Sequence, residues 1–154
     1  MSDEKDVVAA ERVIPAPPES IFEILVDAAR HKDIDGSGSL QGVKGQPERL
    51  RLGSSFGMSM KIGLPYTMSN TVVEFEENRR IAWQTRGGGA IGRRVGGRIW
   101  RYELEPVDGG TRVRESRDIS QESPLTKWMV QRSGPHTRKD LEATLERIEK
   151  LVVS

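Results

Sequence analysis

The side chains with the most chemistry to offer sit on one expected β-hairpin, Arg98 to Glu105 and Thr111 to Ile119, closed by Val107-Asp108-Gly109-Gly110. A turn centred on Asp108 and Gly109 sets Tyr102 opposite Glu115 and Trp100 opposite Arg117. Because side chains alternate along a strand, Arg98, Trp100, Tyr102 and Leu104 share one face, and Val113, Glu115, Arg117 and Ile119 share theirs. Arg101, Glu103, Arg112 and Arg114 fall on the other, solvated face. A carboxyl group among aromatic and aliphatic neighbours keeps its proton to higher pH, so Glu115 has the chemistry of an acid or base beside an enolisable carbonyl. Tyr102, Arg117 or Arg98 would then steady the oxyanion. The same pattern supports a structural reading, in which Glu115 pairs with Arg98 or Arg117 while Trp100 and Tyr102 supply core area.

Other motifs fare less well. Gly87-Gly88-Gly89-Ala90-Ile91-Gly92 satisfies G-x-G-x-x-G after an expected strand. Arg93-Arg94-Val95-Gly96-Gly97 follows it, however, instead of a helix that could present its N-terminus to a pyrophosphate. The stretch reads as a glycine-permissive hairpin loop, and Arg86, Arg93, Arg94 and Arg98 make it a candidate gate or a contact for an anionic head group. Asp33-Ile34-Asp35-Gly36 lacks the ligand spacing and closing Glu of a calcium loop and reads as a turn. His31 and His136 are the two histidines, and neither has the carboxylate pattern of a metal site, so no metal or other cofactor is expected. With no Cys there is no thiolate, disulfide or cysteine-held metal, and without G-x-S-x-G a hydrolase triad has little support.

Composition narrows the class further. The 154 residues suit one domain, and 24 Lys plus Arg against 23 Asp plus Glu leave a net charge of +1, too balanced for a dedicated nucleic-acid binder. Between Arg79 and Arg117 the arginines gather, but stacking aromatics do not interleave with them on the outer face. No stretch of 18 apolar residues or secretory signal is present, so a soluble, cytoplasmic chain without integral membrane insertion is expected, residues 1–5 being a flexible terminus.

The elements that must hold the hairpin follow from punctuation. Val7 to Ile14 reads as a first strand stopped by Pro15, Pro17 and Pro18. A helix carrying Ile21, Phe22, Leu25 and Val26 follows, with capping-box spacing from Ser20 to Glu23, and Asp27 can cap a second short turn through Asp33. Phe56, Met58, Met60 and Ile62 alternate with polar or small residues, then Tyr66 to Glu76 and Arg80 to Thr85 form partner strands. Pairing Met60 with Met68 turns Asn70 and Val72 inward, whereas pairing Phe75 with Ile81 turns Thr71 and Val73 inward, so a bulge is expected between Asn70 and Val73. Leu141, Leu145, Ile148 and Val152 form one face of a C-terminal helix that Pro135 kinks or separates from a segment holding Trp128 and Met129.

In this order, IPAPPESIFEILVDAARHKDID at 14 to 35, VVEFEENRRIAWQT at 72 to 85, RYELEPVDGGTRVRESRDI at 101 to 119 and TLERIEKL at 144 to 151 resemble the START-like superfamily. This superfamily is also called SRPBCC or Bet v 1-like, and the resemblance is to its bacterial polyketide cyclase/dehydrase branch. It implies an α+β helix-grip fold, a curved antiparallel sheet of six or seven strands wrapped around a long C-terminal helix, with two short helices after the first strand. It also implies a cavity for a hydrophobic small molecule such as a lipid, polyketide or quinone. Candidate ligand contacts are Met58, Met60, Asn70, Trp83, Arg98, Trp100, Trp128 and Met129, with Glu115, Tyr102 and Arg117 as candidate catalytic groups. Cyclase/dehydrase-like catalysis is one alternative to simple binding. A vestigial pocket on a protein that binds another protein, or a second copy of itself, is the other.

Overall fold

Prolines set the first boundary. Strand β1 (Val7–Ile14) ends before Pro15, and helix α1 (Pro18–Leu25) begins with Pro18, where a missing N–H breaks no helical bond. Pro17 occupies the N-cap and no side chain caps this helix, so the Ser20–Glu23 spacing is not used as a capping box. The buried face of α1 is Ile21, Phe22, Ile24 and Leu25. Asp27 accepts from the Ala29 N–H at 3.1 Å, starting a 3₁₀ turn, Ala28–Arg30, that runs into α2 (His31–Ile34). This computed structural model describes residues 6–44, 48–62, 64–87, 92 and 94–153. The expected flexible terminus 1–5, and Gly88 to Ile91 and Arg93 of the glycine-rich stretch, lie outside the described residues.

Six more strands follow: β2 (Leu40–Lys44), β3 (Ser55–Ile62), β4 (Leu64–Glu76), β5 (Arg80–Gly87), β6 (Gly96–Val107) and β7 (Gly110–Asp118). They join β1 in one antiparallel sheet of order β1-β7-β6-β5-β4-β3-β2. The expected conflict in β4 is resolved by a register shift between Val72 and Glu74, which leaves Val73 as the extra residue. Asn70 and Val72 therefore stay buried while Phe75 still pairs with Ile81 and packs edge-on to Phe22. Met58 pairs with Met68, and Met60 with Tyr66, two residues from the expected Met60–Met68 pairing. An even shift preserves the face, so the inward assignment survives the correction.

A second irregularity, between Thr85 and Arg86, falls where β6 begins with Gly96 and Gly97 at φ of 89° and 113°. A Cβ on Gly97 would lie 2.3 Å from the Gln121 carbonyl oxygen, so only glycine lets β6 start this close to the segment that follows β7. The hairpin register is that of a turn centred on Asp108 and Gly109: Trp100 opposite Arg117 and Tyr102 opposite Glu115. Helix α3 (Pro124–Arg132) and helix α4 (Gly134–Val153) are separate, with Pro135 in the first turn of α4. Leu141, Leu145 and Ile148 bury one face of α4, which packs against β1, β7, α1 and α2. The core joins that face to Ile14, Phe22, Leu25, Val72, Ile81, Leu104 and Val113. Among the described residues no helix is long and apolar enough to cross a membrane.

Candidate functional site

Where the sheet curves away from α4, a cavity of about 380 Å³ remains. Its apolar wall is built by strand alternation, Met58 and Met60 of β3 beside Tyr66 and Met68 of β4, then Trp83 of β5 and Trp100 of β6. Unbranched thioethers beside aromatic rings make a wall that can adapt to different apolar shapes. Trp83 anchors it, tilted against Tyr102 at 5.6 Å and edge-on to Phe56 at 5.8 Å.

The polar wall comes from the inner face of β6 and β7. Glu115, Arg117 and Tyr102 line the cavity and are 3%, 3% and 4% exposed. Burial pushes the Glu115 carboxyl up to about 8; the neighbouring Tyr102 hydroxyl opposes the shift and the charge of Asp35 adds to it. The Tyr102 hydroxyl is itself raised well above its usual range, by burial first and then by Glu115. Burial lowers the Arg117 guanidinium, as does neighbouring Arg98, while Glu122 works in the opposite direction. Arg117 Nη1 donates to Ser133 Oγ at 3.0 Å and Thr137 Oγ1 at 2.8 Å.

The expected ion pair between Glu115 and Arg98 or Arg117 does not form. Arg98 instead forks onto Glu122 at 3.2 and 3.0 Å, and Thr126 donates to the same carboxylate at 2.5 Å. Glu122 lies just beyond β7, outside any periodic pattern, which is why hairpin reasoning missed it. Glu115 Oε1 and Arg117 Nε are left without a partner among the described residues. Beside them, buried Thr85 donates to Asn70 Oδ1 at 2.6 Å, and Asn70 Nδ2 donates to the Phe56 carbonyl at 3.5 Å.

Most of the residues singled out in the sequence come together. Met58, Met60, Asn70, Trp83, Arg98, Trp100, Tyr102, Glu115, Arg117 and Met129 all line the cavity, Met129 at its exposed rim. Trp128 does not. It is 58% exposed, with the Arg132 guanidinium 5.3 Å from its ring centre, because neighbouring positions on α3 point about 100° apart and Met129 takes the inward direction.

His31 is the main residue that sequence reasoning overlooked. Its Nε2 donates to the Leu25 carbonyl at 2.9 Å, and its ring stacks on Trp83 at 4.8 Å with 17° between planes. Burial holds its pKa below the ordinary histidine value. The available signal was the spacing of three from His31 to Ile34 after the Asp27 cap, which turns both toward the interior. At the rim, Asp35 accepts from the N–H groups of Ser37 and Leu40 at 3.0 and 2.9 Å, as a turn residue does. Gly36 donates to Thr144 Oγ1 at 2.9 Å, and a Cβ there would lie 2.1 Å from the Asp140 carbonyl oxygen, which fixes the turn against α4. Among the described residues, no three His, Asp or Glu side chains are grouped to hold a metal ion.

Comparisons with known proteins agree with this architecture. Over 107 residues, 68% of this chain, the sequence is 35% identical to protein Rv0088 of Mycobacterium tuberculosis (strain ATCC 25618 / H37Rv), where the match covers 44% of that protein. The chain thus spans less than half the length of the curated relatives it matches. The crystal structure of NE0264 from Nitrosomonas europaea superposes with a TM-score of 0.73 at 17% identity, over 98% of this chain and 96% of that one. Ms6760 from Mycobacterium smegmatis gives 0.71 at 16% identity, over 99% and 95%. These two likenesses show the helix-grip fold. Residues 5–153 match the family described as polyketide cyclase / dehydrase and lipid transport, and the chain belongs to that family.

Proposed function

We propose that this member of the polyketide cyclase / dehydrase and lipid transport family binds a hydrophobic small molecule that carries at least one oxygen function. The apolar body of the ligand lies against Met58, Met60, Trp83 and Trp100, and its oxygen meets Glu115, Tyr102 and Arg117. The observation that carries this reading is the buried carboxyl of Glu115, raised to about 8 and without an ion-pair partner among the described residues, on the polar wall of a cavity whose other wall is methionine and aromatic rings. At neutral pH that group is mostly a carboxylic acid, which donates to a carbonyl oxygen where a carboxylate would repel it.

Native mass spectrometry of protein purified without detergent, beside denaturing extraction, tests the proposal. The expected result is a recurrent lipophilic mass that disappears when Met60→Trp fills the cavity. Persistence of the same mass in that variant would overturn the assignment of the site.

The same carboxyl supports a second reading, acid–base catalysis of the cyclase/dehydrase kind. In its carboxylate form Glu115 would take the proton from the carbon beside a substrate carbonyl, giving an enolate oxyanion that Arg117 and Tyr102 stabilise, and would then return that proton to a departing β-hydroxyl, which leaves as water. Turnover of the extracted ligand by the native protein, lost in Glu115→Gln with binding retained, distinguishes catalysis from carriage.

A further inference from the structure

Four buried side-chain atoms among the described residues have no partner in the protein: His31 Nδ1, Glu115 Oε1, Ser116 Oγ and Arg117 Nε. Native proteins leave few such atoms, and each calls for a physical reason. Ser116 faces away from the cavity by strand alternation. The other three belong to residues that line it. Glu115 and Arg117 already have a role in the binding proposed above, whereas His31 has none.

The chemistry of His31 is narrowly fixed. A carbonyl oxygen can only accept, so the 2.9 Å contact between Nε2 and the Leu25 carbonyl places the ring proton on Nε2. In the neutral ring Nδ1 is then a bare lone pair, an acceptor without a donor. Burial disfavours the charged ring and keeps it in that state. The stack on Trp83 and the edge contact with Phe56 hold the ring plane in place. Trp83 in turn touches Tyr102, which stands opposite Glu115 in the hairpin, so one continuous wall runs from a pure acceptor to a donor-rich end.

We propose that His31 is a specificity-determining ligand contact: Nδ1 accepts a hydrogen bond from a hydroxyl group of the ligand, whose adjoining ring lies along the Trp83 wall. This rests on the ligand-binding reading of the cavity and narrows it. The preferred ligand class is a ring-bearing apolar molecule with a free hydroxyl, and a plain acyl chain or a fully etherified ring leaves Nδ1 unsatisfied. The hydrogen bond that a hydroxyl adds at this unpartnered acceptor is expected to favour it by about tenfold in affinity.

Two probes separate the donor from everything else. 2-Naphthol and 2-methoxynaphthalene share ring and oxygen, but only the first can donate. In calorimetric titrations the wild-type protein is expected to bind 2-naphthol about tenfold more tightly, and His31→Phe, which retains an aromatic ring against Trp83, to bind the two alike. The wild-type protein also gives an answer that does not depend on the variant folding. The ¹⁵N resonance of His31 Nδ1 should move toward the hydrogen-bonded range on addition of 2-naphthol and stay in place with the methyl ether. Equal affinities in the wild type, or a preference that survives in His31→Phe, would overturn the role of His31 and leave cavity binding intact. Failure of both probes to bind the wild type would overturn cavity binding, and this inference with it.

Discussion

The two faces of the β6–β7 hairpin carry similar charges and treat them in opposite ways. On the outer face Arg101 forks onto Glu74 at 2.9 and 2.5 Å and lies 3.6 Å from Asp118, while Arg114 meets Glu103 at 3.3 Å and Arg112 meets Glu105 at 3.5 Å. On the inner face, one residue along β7, Glu115 meets no cation among the described residues and Arg117 is held by two neutral hydroxyls, while Arg98 pairs with Glu122 beyond the hairpin. The outer pairs lower the Glu74 carboxyl and raise the Arg101 guanidinium; the inner groups shift the other way, Glu115 up and Arg117 down. Charges placed for stability find partners. Charges that are buried without them cost stability, and a ligand that uses them is a physical reason for their presence.

Removing Glu115 or Arg117 should therefore help the fold, and removing the outer charges should hurt it or do nothing. The largest effect is expected at Glu115. Its folded pKa of about 8 lies above the unfolded value near 4.5, so its contribution is favourable only at low pH and is lost as pH rises through 8. Between pH 5 and pH 8.5, Glu115→Gln should gain on the order of 4 kcal/mol relative to the wild type, measured by urea denaturation at both values.

Arg117 and Arg101 should differ in sign. Arg117→Met is expected to stabilise the protein by about 1–2 kcal/mol in the same assay, since it removes a buried charge with no anionic partner. Arg101→Met should destabilise by about 1–2 kcal/mol, because it removes both donors from the Glu74 carboxylate and one ion-pair contact, at 3.6 Å, from Asp118. Equal signs would break the contrast between the faces. The smallest effects belong to groups already in water: Arg114→Ala and Trp128→Ala should each stay within about 0.5 kcal/mol, and Trp128→Ala should leave 2-naphthol affinity unchanged.

Legibility in the sequence followed periodicity. The inner face of the hairpin, the bulge around Asn70 to Val73, a kink or break at Pro135 and most of the cavity wall were readable, because alternation, proline and helical spacing are local rules. Partners were not. Nothing between Arg98 and Glu122 in the sequence says that they will meet; that contact depends on how Gly97 lets β6 approach the chain after β7. His31 was missed for a related reason. The one local signal is the spacing of His31 and Ile34 within a four-residue helix, and the stacking partner Trp83 lies on a distant strand.

The most direct test is a ¹³C NMR titration of the Glu115 carboxyl in free and 2-naphthol-bound protein. The expected midpoint is about 8 in the free protein, and ligand binding should move it. A midpoint near 4.5 in the free protein, unmoved by ligand, would mean that the carboxyl is solvated or paired and would contradict a cavity built around a neutral, unpartnered acid.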